Sequence, residues 1–169
     1  MTHSIFSRRF FLVSAATTAL AACSAGGSKD VVATASDYAD DDWRALTEAD
    51  WKSRLSPAAF AVLRKHDTER AFTSPLDKEY RPGIYHCAGC DLPLFSSDVK
   101  FDSGTGWPSF WDVLSGAVGT SIDRKLFYPR TEYHCARCLG HQGHIFEDGP
   151  APTGLRYCNN GVAFTFKPV

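Results

Sequence analysis

The chain has 169 residues, a formal net charge of −1, and 44% hydrophobic and 13% aromatic residues. That length fits one domain plus an extension, and the apolar fraction supplies a core without disulfide staples. The near-neutral balance gives no support to nucleic-acid binding or to an anionic-membrane surface.

The first feature in chain order is Ser7-Arg8-Arg9-Phe10-Phe11-Leu12, which resembles the twin-arginine export motif of bacteria. The apolar run from Phe10 to Ala22 is short for a bilayer span and suits the h-region of a signal peptide. It ends in Leu20-Ala21-Ala22-Cys23, which resembles a lipoprotein box, cut before the cysteine that then carries the lipid. An ordinary secretory leader with an accidental cysteine is the alternative. Residues 24–42 hold five Asp, one Lys and few large apolar groups, so this stretch cannot bury enough surface to fold alone. The expected layout is a signal peptide at 1–22, a flexible tether at 23–42 with lipidation at Cys23, and a folded domain at 43–169. The expected address is the periplasmic side of a bacterial envelope, anchored to the membrane through lipid.

Two helix starts follow. Thr47-Glu48-Ala49-Asp50 combines a hydroxyl N-cap with acids in the first turn, and Ser56-Pro57 places proline at the first helical position. The segment Ala58 to His66 predicts a short amphipathic helix with Ala59, Phe60 and Leu63 on one face. Beyond Thr68 the pattern turns β-like. Strands are predicted at Ile84–Cys87, Val118–Ile122, Thr131–Cys135, His144–Phe146, Leu155–Cys158 and Val162–Phe166, separated by Gly, Pro, Asp and Asn. The expected fold is mainly β of the α+β class, antiparallel, with small N-terminal helices and a four-cysteine zinc site at one side.

That zinc site is predicted from a near-repeat. Tyr85-His86-Cys87-Ala88-Gly89-Cys90 and Tyr133-His134-Cys135-Ala136-Arg137-Cys138 are each a Cys-x-x-Cys knuckle after a strand-like approach. Together they offer four thiolates, the donor set of a closed tetrahedral structural Zn²⁺. A rival set, Cys135, Cys138, His141 and His144, would leave Cys87 and Cys90 without a partner. His86 and His134 fall beside knuckle cysteines, as supporting or surface groups.

Three features remain. Cys158 is a lone cysteine two residues after Arg156, so the two share a strand face and the cation favours thiolate. It is either a nucleophile or a small buried hydrophobe. His141 and His144, in Gly140-His141-Gln142-Gly143-His144-Ile145-Phe146, can supply an acid or base near neutrality. Ser103-Gly104-Thr105-Gly106-Trp107-Pro108-Ser109-Phe110-Trp111 is a glycine-rich turn ending in two indoles. Trp107 offers a flat wall for a methyl-sulfur group or is a core aromatic, and Trp111 fits the core.

These stretches, with Lys100-Phe101-Asp102-Ser103-Gly104 before the turn and Arg156-Tyr157-Cys158-Asn159-Asn160-Gly161-Val162-Ala163-Phe164 at the end, are similar to methionine-R-sulfoxide reductases of the B type. The resemblance covers about Trp43 to Val169. It implies two antiparallel sheets and reduction of the R epimer of methionine sulfoxide, free or in oxidised proteins and peptides. It further implies Cys158 as nucleophile, a proton donor among His141 and His144, and Asn160 near the sulfoxide oxygen. Trp107, Phe146 and Arg156 are implied on the substrate side, Arg156 helping to hold Cys158 as thiolate. Cys87, Cys90, Cys135 and Cys138 are implied as ligands of a structural zinc.

One departure stands out. Many relatives carry a resolving cysteine in the glycine-rich turn, where this chain has Thr105. A sulfenic acid on Cys158 would then need an external thiol, thioredoxin-like or of low molecular weight. Two other classes compete: a non-catalytic zinc-ribbon interaction module, and a thiol–disulfide oxidoreductase using one Cys-x-x-Cys pair. The module does not need Cys158 beside Arg156, a histidine pair or an export signal, and the duplicated knuckle counts against the oxidoreductase.

Overall fold

The computed structural model describes Met1 and residues 35–39 and 41–169. The expected leader with Arg8 and Arg9, the lipid site Cys23 and most of the tether lie outside the described residues. Ahead of residue 43 there is a 3₁₀ turn at Ala35–Tyr38, and the guanidinium of Arg137 sits over the Tyr38 ring.

Three short helices come next, α1 (Asp42–Ala45), α2 (Glu48–Arg54) and α3 (Pro57–Lys65). Their starts follow the cap chemistry. Thr47 Oγ1 accepts from Asp50 N, and Asp50 Oδ2 accepts from Thr47 N, closing a capping box on α2. Ser56 Oγ accepts from Ala59 N, with Pro57 at the first helical position of α3. The α3 stripe differs from expectation by one residue, because Ala59, Val62 and Leu63 are buried and Phe60 is only half-buried. Spacing explains this, since positions i, i+3 and i+4 share a face and i+1 falls about 100° away. The helix stops at His66, whose φ of 56° is left-handed.

Among the described residues, nine strands make two antiparallel sheets. The smaller has the order β2–β1–β9, with β1 at Gly83–Cys87, β2 at Pro93–Ser96 and β9 at Phe164–Pro168. The larger has the order β3–β4–β8–β7–β6–β5, with β3 at Lys100–Phe101, β4 at Ser109–Phe110 and β5 at Val118–Asp123. Its remaining strands are β6 at Arg130–Cys135, β7 at His141–Phe146 and β8 at Arg156–Asn159. The two-residue strands β3 and β4, and β2 starting on proline, are too short to alternate and were not expected. Val162 lies in a 3₁₀ turn at Gly161–Ala163, so the last strand starts at Phe164.

The core is an aromatic layer between the sheets. Tyr85, Phe95 and Phe164 come from the smaller sheet, and Phe110, Tyr133 and Tyr157 from the larger. Phe95 stacks on Phe110 with ring centroids 4.4 Å apart, and its other neighbours meet it edge-on, the geometries aromatic quadrupoles prefer. Buried hydroxyls are satisfied: Tyr85 donates to Glu79 O and Tyr133 to Asn159 Oδ1, each at 2.6 Å.

At one end of this sandwich the knuckles meet. Cys87 ends β1 in one sheet and Cys135 ends β6 in the other. The four sulfurs of Cys87, Cys90, Cys135 and Cys138 are buried and all lie within 4.8 Å of one another. Cys87–Cys138 and Cys90–Cys135 are 3.6 and 3.5 Å apart. A tetrahedron with zinc–sulfur bonds of ~2.3 Å has edges of about 3.8 Å, so the cage fits a metal such as zinc. N–H groups of Gly89 and Gln142 point at Cys87 Sγ, as suits a thiolate. The rival set does not form, because Cys135 and Cys138 face Cys87 and Cys90.

We expect one equivalent of zinc to copurify, and Cys87→Ser to lose it by elemental analysis. With metal binding coupled to folding, a loss of about 3 kcal/mol would lower the unfolding midpoint by roughly 10 °C for a domain of this size.

Candidate active site

The register of the larger sheet assembles the site. On β7 and β8, His144 pairs with Cys158, Ile145 with Tyr157 and Phe146 with Arg156. Residues directly opposite share a face with their Cβ atoms about 5 Å apart, so His144 stands beside Cys158. Across β6 and β7, Glu132 pairs with His144. Gly143 permits this close pairing, since a Cβ there would lie 1.9 Å from the Cys158 carbonyl oxygen.

Above this row is a cavity of about 110 Å³ lined by Trp107, Arg130, His144, Phe146, Cys158 and Asn160, among others. Trp107 is fixed by an indole N–H donated to Glu69 O at 2.9 Å. Asn160 is buried; Nδ2 donates to Gln142 O, and Oδ1 accepts from Glu69 N. Trp111 is half-buried and outside the cavity lining.

Each histidine has its own carboxylate. His144 Nε2 donates to Asp123 Oδ2 at 2.8 Å, and Arg130 Nη2 also binds that oxygen. Burial lowers the His144 pKa and the Asp123 hydrogen bond partly restores it. His141 Nδ1 donates to Glu132 Oε1 at 2.8 Å. His141 is buried behind the cavity wall, with its ring centroid 5.4 Å from that of His144 and 4.9 Å from that of His66. Burial pushes the Glu132 carboxyl up, but hydrogen bonds from His134, His141 and Ser121 outweigh it and hold Glu132 ionised. His66, Glu132 and His141 also form a cluster of potential metal donors. The His66 and His141 rings lie nearly parallel, at 24°, face to face. In-plane lone pairs of stacked rings do not converge, so the cluster is a hydrogen-bonded His141–Glu132 pair with the His66 ring stacked on it.

Cys158 is half-buried. Burial raises its thiol pKa above the usual value, while Arg156 and a hydrogen bond from Thr105 pull it down without cancelling that effect. Arg156 therefore favours the thiolate as expected, but burial outweighs it and biases Cys158 toward the thiol. Arg156 is itself anchored to Asp148 by two hydrogen bonds at 2.7 and 2.8 Å and lies over the Phe146 ring, 4.3 Å from its centroid. Thr105 is held by Ser103 Oγ at 2.8 Å.

Sequence reasoning singled out Cys158, His144, Trp107, Phe146 and Asn160, which meet around one cavity, and His141 and Arg156, which stand behind it. It missed Glu132, Asp123, Asp148 and Arg130. Their only sequence signal is a charge within or beside a predicted strand; what each faces depends on cross-strand register.

The sequence matches the SelR domain family over residues 55–168. A peptide methionine sulfoxide reductase MsrB of Agrobacterium fabrum is 52% identical over 124 residues, covering 73% of this chain and 92% of that protein. The MsrB of Thiobacillus denitrificans is 50% identical over 72% of this chain and 93% of its own length. That of Methanosarcina barkeri is 52% identical over 72% of this chain and 86% of its own.

A protonated resting thiol has a direct consequence. Without substrate, iodoacetamide should modify Cys158 about tenfold faster per pH unit from pH 7 to 9, tracking the thiolate fraction. Peptide mapping by mass spectrometry gives the rate, and a plateau below pH 8 would mean a thiolate at rest.

Proposed function

The chain belongs to the SelR-domain family of MsrB-type peptide methionine sulfoxide reductases, and from that premise we propose that it reduces methionine R-sulfoxide in oxidised proteins and peptides. The observation that carries this is Cys158 beside His144 at the floor of a small cavity walled by Trp107 and Phe146. The indole and phenyl faces suit the methyl and thioether carbons, sulfur–aromatic contact adding to the fit.

In the proposed reaction Cys158 Sγ attacks the sulfoxide sulfur, and a proton reaches the sulfoxide oxygen. His144 is the donor we favour, because it lines the cavity and its Nε2–H is fixed by Asp123, leaving Nδ1 to exchange the proton. His141, held by Glu132, packs behind it as a positioning group. The oxygen ends on Cys158 as a sulfenic acid; methionine sulfur gains two electrons and Cys158 loses two. Two external thiols then reduce the sulfenic acid, releasing water and one disulfide. A thiol protonated at rest also resists stray oxidation, because oxidants attack thiolate. A zinc ion bound by Cys87, Cys90, Cys135 and Cys138 would supply a cross-link and no step of the reaction.

We further propose the division into signal peptide 1–22, tether 23–42 and domain 43–169, with export through the twin-arginine route and anchorage at Cys23. Zinc loading before export of a folded domain would shield four thiols from an oxidising compartment.

With dithiothreitol, the enzyme should turn over the R epimer and leave the S epimer. Without reductant, a sulfoxide pulse should release one methionine per enzyme and leave a dimedone-reactive Cys158; Cys158→Ser should abolish the burst. Since Thr105 hydrogen-bonds Cys158, Thr105→Cys should divert the product to a disulfide between the introduced thiol and Cys158. Equal rates on both epimers would sink the assignment, and a native internal disulfide after one turnover would sink the external-thiol step.

For the address, Arg8→Lys with Arg9→Lys should leave the precursor in the cytosol, and Cys23→Ala should yield an unlipidated or unprocessed form. Fractionation and a lipid label check both; normal anchored protein would refute the corresponding signal.

A further inference from the structure

The loop 124–129 joins β5 to β6 and stands next to the cavity. It carries Leu126, Phe127 and Tyr128, all exposed, Phe127 completely so. Ile122, at the end of β5, is 58% exposed. Arg124 and Lys125 lie on the same loop. Consecutive large apolar side chains held in water cost solubility and mark a binding surface when they cluster. Aromatic, aliphatic and Arg side chains together are the composition of interface hot spots.

Both feet of this hairpin are in the active site. Asp123, the last residue of β5, holds His144. Arg130, the first residue of β6, binds Asp123 and lines the cavity. The loop therefore leaves and re-enters the fold at the rim of the cavity, although residues 124–129 do not line it. The cavity, at about 110 Å³, is far below the roughly 300–1,000 Å³ that encloses a drug-sized ligand. It admits one side chain and leaves the polypeptide that bears it outside, against the rim.

We infer that the β5–β6 loop is a docking surface for the polypeptide segment flanking the oxidised methionine. Leu126, Phe127 and Tyr128 contact its apolar neighbours, and Arg124 and Lys125 favour segments carrying Asp or Glu. This rests on the reductase function proposed for the cavity. A lipid bilayer is the competing occupant of an apolar tip flanked by cations. Inserting the loop would bring the adjoining cavity mouth down onto the headgroups and shut it to proteins, so continuity with the cavity favours a polypeptide.

The test uses the full chain and the variant Leu126→Ala/Phe127→Ala/Tyr128→Ala. Steady-state kinetics are measured on free methionine R-sulfoxide and on an unstructured acidic peptide with one methionine sulfoxide; anisotropy of the labelled peptide reports binding. The expected result is a fall of about tenfold, equivalent to about 1.4 kcal/mol, in kcat/KM for the peptide. It should reside in KM with weaker peptide binding, and free methionine sulfoxide should be turned over as before. Equal losses on both substrates, or none on the peptide, would overturn the inference. So would unchanged peptide kinetics together with binding to phosphatidylglycerol vesicles that the variant loses, which would assign the loop to the membrane. If the wild type reduces neither substrate, the proposed function fails. Peptide binding still decides the docking surface in that case, as it must then be present in the wild type and lost in the variant.

Discussion

The cage of four cysteines is the constraint on which the rest depends. Cys87 and Cys135 terminate strands in different sheets, and Cys90 and Cys138 lie on the turns that follow. A metal held there ties the two sheets together at one end. The helices lock onto the same point, Arg64 donating to Cys138 O and Arg44 to Ala136 O and Arg137 O, and the knuckles brace each other through Arg137, which donates to Cys90 O. Only Leu139 and Gly140 separate Cys138 from His141, the first residue of β7. The strand that carries both histidines is therefore registered from the cage, although the cage is not part of the reaction. Between the sheets, three aromatic side chains from each close the sandwich.

Legibility divides along a physical line. Features set by neighbours in sequence were readable: the capping box at Thr47, proline after Ser56, the knuckles, and the alternation of strands such as β1 and β6. Short strands were not, because two residues carry no period, and Phe60 was placed in the α3 stripe because helical phase shifts with one misassigned position. In the site, Cys158 and His144 stood out by residue type. Glu132 and Asp123 did not, because a carboxylate in a strand is ordinary until register places it against a histidine. Arg156 shows the limit most clearly. Its spacing from Cys158 is right for stabilising a thiolate, and it does lower the Cys158 pKa, but burial outweighs it, and Asp148, which shares its guanidinium, is eight residues away across a turn.

The electrostatics of the site form one arrangement. Glu132 and Asp123 are kept ionised by several hydrogen bonds each, so they act as fixed anions under the two histidines. Burial alone would strip His144 of its proton; the Asp123 carboxylate works against that. Cys158 is biased the other way. Burial and Asp148 keep the proton on sulfur, and Arg156 and Thr105 limit the bias. The resting site thus holds a neutral nucleophile next to a histidine whose proton affinity is tuned by a fixed anion.

In the reaction proposed above, such a site is activated by what enters it. A sulfoxide oxygen is a strong hydrogen-bond acceptor. Once it lies against Cys158 and His144, the thiol proton has somewhere to go, and the charge that burial penalised never has to develop on sulfur in isolation. Proton movement and sulfur attack are then favourable together and unfavourable apart. The geometry suits such a close approach: Gly143 lets β7 come against the Cys158 carbonyl, and Asn160 is pinned to Gln142 and Glu69.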